Sequence, residues 1–335
     1  MKVLLLSQYD ESQATTRIRL ISLKKELSKY GYDTSLSYLV KWDYNNLPFL
    51  LKFLTLVYRY SHRFFILFFR KYDIIIFNRE VFPKLPFIFD SIIFKSSKNI
   101  IMDLDDGIHL YYKNNFLKNK INKLVKYSNS LYTANINLYS HFINLQKNIF
   151  LNYPYPDNIY SRKSINKEMI IGWIGSSSTT KYLLPILDQL KNLSKKYKFS
   201  LIIVGSNLEK NNLSFLKDID HKIMPWNLKN EKYFFREISI GLMPLDLNSD
   251  FARFKSGYKL IQYLCHSIPS LSSKNEVTQD ILGTDLFLCS DLKEWKSKLE
   301  WMFNQGYEIQ EKWIKKNKEN LISRFKRIPN NLNPL

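Results

Sequence analysis

The strongest constraint on the fold is a repeated alternation of short, continuous apolar runs with longer helical patterns. In the first half of the chain, apolar runs at 2–7, 72–80 and 98–106 are interleaved with helical patterns such as 17–31, which ends at Gly31. Continuous apolar runs are typical of parallel strands that are covered on both faces. This half of the chain therefore predicts consecutive βα units.

The second half repeats the same pattern. Its apolar runs lie at 168–178, 199–207, 221–226, 238–246 and 268–273, and helical segments separate most of them. Two successive sets of βα units predict an α/β fold with two Rossmann-like, doubly wound parallel-sheet domains. The length of 335 residues agrees, because it exceeds what one ordinary core accommodates.

The turn-rich segment 152–168 separates the two sets and is interpreted as the linker. The sequence predicts a first domain over 1–158 and a second over 159–308. A charged helical tail over 309–335 could return to the first domain. Ligands of such sheets bind at the carboxyl ends of the strands, where the polar clusters of this chain fall.

The charge of the chain bears on its partners. The formal net charge is +20, which favours anionic partners such as nucleic acid, anionic lipid or phosphorylated substrates. No helix-turn-helix, zinc-ligand spacing or RNA-recognition signature is present, so nucleic-acid binding is the weaker alternative. Cys265 and Cys289 lie in apolar contexts and indicate a reducing compartment. The first apolar run is too short for a signal peptide, and we expect a cytoplasmic protein.

The stretch 47–72 is unusual in its charge. No acidic residue occurs between Asp43 and Asp73, while cations interrupt a sequence rich in Phe and Leu. Its uninterrupted apolar runs are too short to span a bilayer. It could lie in the interface of an anionic membrane, or it could be an ordinary amphipathic helix buried against a neighbour. Both interpretations remain open from the sequence.

A candidate anion site lies in "FARFKSGYKLIQYLCHSIPSLSS" at 251–273. Lys255 and Lys259 bracket Gly257 at the start of a helix, where unpaired backbone N–H groups attract anions. Gly257 would let a ligand approach the backbone. Tyr258 and Gln262 follow on the same helix, and the Gln262 amide could bond to the hydroxyls of a ribose. A solvated, lysine-rich helix start is the alternative.

A second candidate anion site is the loop of "IIGWIGSSSTTKYL". Gly175, Ser176 and Ser177 follow a strand, and Lys181 enters the next helix. Exposed amides and hydroxyls after a strand are typical of a phosphate cradle. The spacing of a P-loop or of a dinucleotide motif is absent. Together the two loops predict a nucleotide diphosphate held between two helix starts.

These segments resemble known sequences. "KSGYKLIQYLCHSIPSLSS" resembles the donor-site signature of GT-B glycosyltransferases of family 4, and "GWIGSSSTTKYL" resembles their glycine loop. "PWNLKNEKYFFREISIGLMPLD" resembles the stretch beneath the nucleotide base, with Trp226 beside the base. "NRE" and "DLDDGIH" resemble elements of a subgroup. The resemblance implies two domains that face a central cleft, a nucleotide-sugar donor and retention of anomeric configuration.

The chain also departs from that family. The family's pair of glutamates falls on Phe254 and Gln262, and its usual arginine after the first loop glycine falls on Trp173. Gln262 can still bond to a ribose hydroxyl, whereas Phe254 cannot replace a carboxylate. Lys181 and the serines are then left to bind phosphate.

The first domain offers candidate acceptor-side residues. Arg17 and Arg19 lie at the start of a helix and could bind an anionic acceptor such as a lipid-linked phosphate, or be merely solvated. Arg79 and Glu80 end a buried strand. They could form a structural ion pair or contact the sugar, because charges at such a position seldom lack a partner.

The segment "MDLDDGIH" is ambiguous. Asp103 and Asp105 spell the Asp-x-Asp that holds a divalent ion in other transferases. The motif lies in the half without phosphate loops, so we expect no metal. Asp105, Asp106 and His109 are instead candidates to bond sugar hydroxyls or to polarise the acceptor hydroxyl.

The two loops and the resemblance together predict a glycosyltransferase that moves a sugar from a nucleotide-sugar donor to an acceptor hydroxyl. The resemblance implies that this acceptor is a lipid-linked or surface polysaccharide. Its candidate catalytic residues are Lys181, Lys259, Asp105, Asp106 and His109. No cofactor or metal is expected. A catalytically inactive subunit that binds nucleotide-sugar is the alternative within the same fold, and the membrane association would be peripheral, on the inner face of the plasma membrane.

Overall fold

A computed structural model describes residues 1–161, 168–208 and 216–325. The chain forms two compact units. Among the described residues, the first contains Met1–Asp157 and the short segment Phe254–Ser256, and the second contains Asn158–Arg253 and residues 257–325. The far end of the tail helix, 326–335, and part of the interpreted linker, 162–167, lie outside the described residues.

The first unit is a parallel six-stranded sheet with strand order β2-β1-β3-β4-β5-β6. Its strands are β1 Lys2–Tyr9, β2 Asp33–Val40, β3 Ile74–Asn78, β4 Asn99–Leu104, β5 Ser130–Thr133 and β6 Ile149–Leu151. Its α-helices are α1 Ser22–Lys29, α2 Phe49–Phe69, α3 Phe87–Asp90, α4 Ile93–Ser96, α5 Lys120–Tyr127 and α6 Ile136–Phe142. A π-helical turn, Thr16–Ile21, precedes α1, and 3-10 turns lie at Trp42–Asn46 and Ile108–Tyr112.

The second unit repeats this architecture with strand order β12-β11-β10-β7-β8-β9. Its strands are β7 Met169–Ile174, β8 Phe199–Val204, β9 Asp220–Met224, β10 Ile240–Met243, β11 Ser270–Ser273 and β12 Leu288–Cys289. Its α-helices are α7 Thr180–Ser194, α8 Leu228–Glu237, α9 Asp250–Arg253, α10 Tyr258–Cys265, α11 Glu276–Leu282, α12 Leu292–Trp301 and α13 Tyr307–Phe325. A 3-10 turn, Ser177–Thr179, precedes α7, and a π-helical turn, Met302–Gly306, joins α12 to α13.

In each sheet a central strand is completely buried, as its continuous apolar sequence predicts. Every residue of β3 is buried, and so is every residue of β10, because helices cover both faces of these central strands. In each unit the strand order reverses next to the first strand, between β1 and β3 and between β7 and β10. Such switch points open crevices at the carboxyl ends of the strands. The predicted α/β class with two doubly wound sheets is confirmed.

The described part of the tail helix α13 packs on the second unit. The Gln310 side chain accepts a hydrogen bond from the Ser270 N–H at 2.9 Å, and the Lys318 ammonium donates to the Ser267 hydroxyl at 2.8 Å. Arg324 pairs with Asp280 at 3.1 Å. These contacts hold α13 against the β11 side of its own unit, as far as Phe325.

Within the described ranges, no helix is both long enough and apolar enough to cross a membrane.

Candidate functional site

The loop after β7 closes on a tryptophan and a lysine. A side-chain carbon at Gly175 would lie 2.4 Å from the Trp173 ring and 2.8 Å from the Lys259 ammonium nitrogen, so only glycine fits there. The Lys259 ammonium lies 4.5 Å from the centroid of the Trp173 ring, which is a cation–π distance. The glycine loop and the first turn of α10 therefore meet, and they bring one cation beside the loop backbone.

The end of β8 joins the same loop. Gly205 has φ +78°, and a side-chain carbon there would lie 2.1 Å from the Gly175 carbonyl oxygen and 3.2 Å from Cβ of Trp226. The Trp226 indole N–H donates to Glu231 at 2.9 Å, which fixes the ring on the first turn of α8. Trp226, predicted to lie beside the nucleotide base, thus belongs to the same cluster. Neither Gly205 nor Glu231 was among the predicted residues.

We call the set Trp173, Gly175, Gly205, Trp226 and Lys259 the carboxyl-end cluster of the second unit. Its members follow β7, β8 and β9 or begin α10. Parallel strands end at one edge of a sheet, so side chains that follow them gather there. The cluster combines two tryptophans, a cation and two glycines whose backbone is approached closely.

The serines predicted to bind phosphate form the first turn before α7. Ser176, Ser177 and Ser178 are exposed, and Ser176 makes a capping box with Thr179. The Ser176 N–H donates to the Thr179 hydroxyl at 3.1 Å. Within this turn the Thr179 N–H donates to the Ser176 carbonyl at 2.9 Å and the Thr180 N–H donates to the Ser177 carbonyl. The start of a helix is a favourable place for an anion.

The helix start at Gly257 has a packing reason of its own. Gly257 has φ +66°, and a side-chain carbon there would lie 2.3 Å from Cδ1 of Ile281. The left-handed backbone and the close contact with α11 are sufficient to require glycine at this position, without a ligand. On α10 itself, Tyr258 is half-buried and Gln262 is buried.

The three lysines that the sequence predicted to share a diphosphate occupy different surroundings. Lys259 lies beside the glycine loop, as described above. Lys181 is exposed on α7, with its ammonium 5.2 Å from the Tyr182 ring. Lys255 belongs to the first unit, where its ammonium pairs with Asp106 at 3.3 Å. Lys255 thus has an acidic partner in the first unit that the sequence did not predict, and its role beside a diphosphate stays a prediction.

In the first unit, Arg79 and Asp105 form the centre of a polar cluster. The Arg79 guanidinium donates to both oxygens of Asp105 at 2.6 and 2.8 Å, and the Thr15 hydroxyl donates to Asp105 at 2.8 Å. Arg79 has φ +65°, a left-handed conformation that is unusual for a residue with a side chain. Such strain is retained where the surrounding contacts fix it, often at functional sites.

The protonation of the two neighbouring carboxyls differs. Burial alone would raise the pKa of Asp105, but the positive charge of Arg79 and the hydrogen bonds from Arg79 and Thr15 outweigh it and hold the pKa well below its usual range. For Asp106, burial and the negative charge of Asp105 raise the pKa against the opposing charge of Lys255. Asp106 is thus the carboxyl of this pair that accepts a proton more readily.

His109 lies in an aromatic cluster with a residue from the second half of the sequence. Its ring stacks on His141 at 4.4 Å and meets the edge of Phe254 at 4.8 Å. Both ring nitrogens are buried and have no hydrogen-bond partner among the described residues. Burial, helped by the nearby charge of His141, lowers the pKa of His109 to about 4. The ring is therefore neutral at pH 7.

The surroundings of Phe254 explain why this residue is apolar. Its side chain is buried in the core of the first unit, and its carbonyl accepts a hydrogen bond from the Asn135 amide at 2.9 Å. A carboxylate at this position would be desolvated among aromatic rings.

The two arginines near the π-helical turn have different environments. Arg19 is buried, and its guanidinium binds the Asp103 carboxylate and the Asn152 carbonyl. Its donors are therefore engaged by the protein. Arg17 is half-buried on the same turn. Of the two, Arg17 is the one whose side chain reaches the surface.

Arg79 and Glu80 do not pair with each other. Arg79 binds Asp105 and Asp106, whereas Glu80 is buried and pairs with the Lys120 ammonium at 2.7 Å. Glu80 also accepts a hydrogen bond from the Tyr112 hydroxyl at 2.9 Å. The structure thus separates the two residues into two networks, and Glu80 supports the fold from inside.

The Asp-x-Asp segment is bound by cations of the protein itself. Asp103 is held by Arg19 and by the Asn78 amide, which donates at 2.9 Å, and Asp105 is held by Arg79. Within the described ranges, no group of three or more His, Cys, Asp and Glu side chains is placed to hold a metal ion.

Comparison with known proteins shows which fold this is. HepE from Anabaena, solved with UDP and glucose, superposes over the full length of both chains with a TM-score of 0.71 at 12% identity. An α,α-trehalose 6-phosphate synthase from Burkholderia multivorans matches 96% of this chain and 95% of its own, with a TM-score of 0.63 at 10% identity. A Rickettsia africae glycosyltransferase matches 97% of this chain and 94% of its own, with a TM-score of 0.62 at 11% identity. These neighbours are GT-B glycosyltransferases. The chain has the GT-B fold.

At these identities the likeness concerns the GT-B fold alone. No family model matches the chain, and no curated protein matches it. The resemblance to family 4 and the retaining outcome therefore stay predictions. Within the GT-B fold, the carboxyl-end cluster and the Arg79–Asp105 pair are the polar assemblies at the two sheet edges where ligands of doubly wound folds bind.

Proposed function

We propose that the chain is a glycosyltransferase that uses a nucleotide-sugar donor bound at the carboxyl-end cluster. The observation that carries this proposal is the meeting of the glycine loop, Trp226 and Lys259 at one sheet edge. The loop leads into the exposed serines, Trp226 offers a ring face for the base, and Lys259 offers positive charge for the diphosphate. The GT-B neighbours solved with UDP or UDP-glucose support a uridine nucleotide as the first candidate.

The proposed catalytic contribution of this cluster is electrostatic. When the bond to the sugar breaks, negative charge develops on the departing diphosphate. A preorganised ammonium and the amides of a helix start stabilise that charge more than they stabilise the ground state. Lys259 and the turn before α7 would act in this way, with Lys181 as a more peripheral cation. Gln262 would bond to the ribose.

The first unit would bind the acceptor. Asp106, whose carboxyl has the raised pKa, could accept a hydrogen bond or a proton from an acceptor hydroxyl, while Arg79 and Thr15 keep Asp105 ionised and fixed. Neutral His109 would pack beside the acceptor site, because both of its ring nitrogens are buried. Arg17 would bind an anionic group of a lipid-linked or surface polysaccharide acceptor.

We further propose that the transfer retains the anomeric configuration of the sugar. We also propose that the protein lies at the inner face of the plasma membrane as a peripheral protein.

The test is a titration of the purified chain with UDP, GDP and ADP, followed by measurement of nucleotide release from the corresponding sugar donors. We expect one nucleotide to bind with a dissociation constant of roughly 1 μM to 1 mM, the range usual for enzyme substrates, and its sugar donor to turn over with an acceptor. Binding without turnover for any donor would identify an inactive binding subunit. Binding of none of the three nucleotides would overturn the proposal.

A further inference from the structure

Helix α2 exposes an unusually apolar surface. Leu50, Leu54, Val57, Phe65 and Phe68 follow one another at helical spacing, and each is about half exposed or more. Phe69 is 70% exposed at the end of the helix. The only buried side chains of this 21-residue helix are Arg63 and Leu67. In an ordinary amphipathic helix the apolar side faces the protein core. In α2 these Leu, Val and Phe side chains face the solvent.

The side of α2 that faces the protein carries a cationic stripe next to Tyr60, Ile66 and Leu67, which pack into the core of the first unit. Lys52, Arg59 and Arg63 are spaced seven and four residues apart, which places them on one side of the helix. Lys52 and Arg59 are partly buried, and the Arg59 guanidinium lies 5.1 Å from the Tyr38 ring.

Arg63 fixes the rotation of the helix about its axis. Its guanidinium donates to the carbonyls of Val81 at 2.8 Å, Ser7 at 2.6 Å and Ser37 at 2.7 Å. These carbonyls belong to three different segments of the first unit. Turning the apolar face inward would break all three bonds and leave polar groups buried without partners. The outward direction of the Phe and Leu side chains is therefore built into the fold.

The charges around the exposed apolar side of α2 indicate which kind of partner it binds. No acidic residue occurs between Asp43 and Asp73, and Arg70 and Lys71 are exposed just beyond the end of α2. A second copy of the helix would bring its own apolar side chains, but it would also bring further cations and no acidic residue to neutralise them. Acyl chains under anionic headgroups match both features, because they receive the aromatic rings and neutralise the cations.

We propose that α2 is an interfacial helix, whose exposed face inserts among the acyl chains of an anionic bilayer. Arg70 and Lys71 would then lie at the level of the headgroups. The helix lies on the membrane rather than across it, since Arg63 in its middle stays bound to the protein. This docking surface goes beyond the transfer reaction proposed above and does not depend on it.

The first test is flotation of the chain with vesicles of phosphatidylcholine alone and of phosphatidylcholine mixed with phosphatidylglycerol. We expect binding to the mixed vesicles. The variant Leu54→Ser/Phe65→Ser/Phe68→Ser should lose about tenfold or more in partitioning, because each serine removes apolar area from the inserted face. The matched control is Leu292→Ser/Ile309→Ser, which changes exposed apolar residues of the second unit and should bind as wild type does.

The second test reports insertion directly. Cys265 and Cys289 are buried, so a cysteine introduced by Phe65→Cys can be labelled selectively with an environment-sensitive fluorophore. A blue shift on addition of mixed vesicles is expected at Phe65→Cys and not at Ile309→Cys. This measurement stands even if the triple variant folds poorly.

The proposal is overturned if the wild-type chain does not bind mixed vesicles, or if the triple variant binds them as well as wild type does. It is also overturned if the emission of the label at Phe65→Cys does not shift to the blue. A second outcome would also overturn the proposal: the wild-type chain does not bind vesicles, but it forms a dimer that the triple variant dissociates. The apolar face of α2 would then be the contact surface for a second copy of the chain. Nucleotide titration of the same samples is independent of lipid, so failure of the docking surface is distinguishable from failure of the transferase proposal.

Discussion

The Lys259 ammonium lies 4.5 Å from the centre of the Trp173 ring, beside a glycine whose replacement would collide with both side chains. Lys259 comes from the first turn of α10 and Trp173 from the end of β7, so this contact joins two segments far apart in the sequence.

Replacement of Lys259 is expected to reduce turnover more than replacement of any other lysine of the second unit. Lys259→Ala should lower kcat/KM by about a hundredfold or more, the usual loss when one donor to a developing oxyanion is removed. Lys181→Ala should have a smaller effect, because that ammonium lies over Tyr182 on the exposed side of α7. Steady-state nucleotide release checks both, with Lys195→Ala as a surface control. Equal losses for Lys181→Ala and Lys259→Ala would contradict the assignment.

The two arginines of the π-helical turn should separate stability from function. Arg19→Ala leaves the buried Asp103 carboxylate without its cation and should lower the free energy of unfolding by about 3–5 kcal/mol. Arg17→Ala, at a partly exposed position, should change it by no more than about 0.5 kcal/mol. Denaturant unfolding measures both variants. If Arg17 binds the acceptor, Arg17→Ala should raise the KM for acceptor while stability is kept.

Much of this organisation could be read from the sequence. Continuous apolar runs and the polar residues after them predict parallel strands and the sheet edge where ligands bind, because both depend on local pattern. Gly175 was predicted from such a local signal, whereas the prediction for Trp226 came from the resemblance to a known family.

Contacts between residues far apart in the sequence could not be predicted from local pattern. Lys255 pairs with Asp106, Glu80 pairs with Lys120, and Phe254 packs on His109. Each contact depends on which strand lies next to which, and the sequence of one chain does not state the strand order. Gly205 was missed for the same reason, since its requirement arises from the Gly175 carbonyl of the neighbouring strand.

Two glycines provide a matched test of packing. Gly257 and Gly283 have the same backbone conformation, with φ 66° and ψ 15°. An added side-chain carbon would meet Ile281 at 2.3 Å in Gly257 but nothing within 4 Å in Gly283. Gly283→Ala should therefore cost about 1–2 kcal/mol for the left-handed backbone alone. Gly257→Ala should cost about 1–3 kcal/mol more, as overpacking usually does. Equal unfolding midpoints for the two variants would contradict this account.

Removal of metal ions should not affect turnover. Both carboxylates of the Asp-x-Asp segment are bound by arginines, so a chelated ion would have to compete with Arg19 and Arg79. We expect nucleotide release to be unchanged after exhaustive dialysis against EDTA. Asp105→Asn should still lower activity, because it weakens the pairing that holds Arg79 in its left-handed conformation. Restoration of a lost activity by Mg²⁺ or Mn²⁺ would contradict this prediction.

The stability of the second unit should depend on pH through His266. Burial lowers the pKa of His266 to about 4, against an ordinary value of about 6.5 in the unfolded chain. Between these values the unfolded chain binds more protons, so stability is fully present above about pH 6.5 and is lost as the pH falls towards 4. The ring stacks on Phe235 at 4.1 Å, which makes His266→Phe a suitable non-titrating variant.

The comparison of wild type with His266→Phe isolates this histidine from the other groups that titrate in acid. Those groups include Asp90, whose pKa burial raises to about 6 and which acts in the opposite direction over part of the same range. The difference in unfolding free energy between wild type and His266→Phe should shift by roughly 2–3 kcal/mol between pH 7 and pH 4.5, to the disadvantage of wild type. Chemical denaturation at a series of pH values measures it. A difference that stays constant with pH would show that His266 titrates normally in the folded protein.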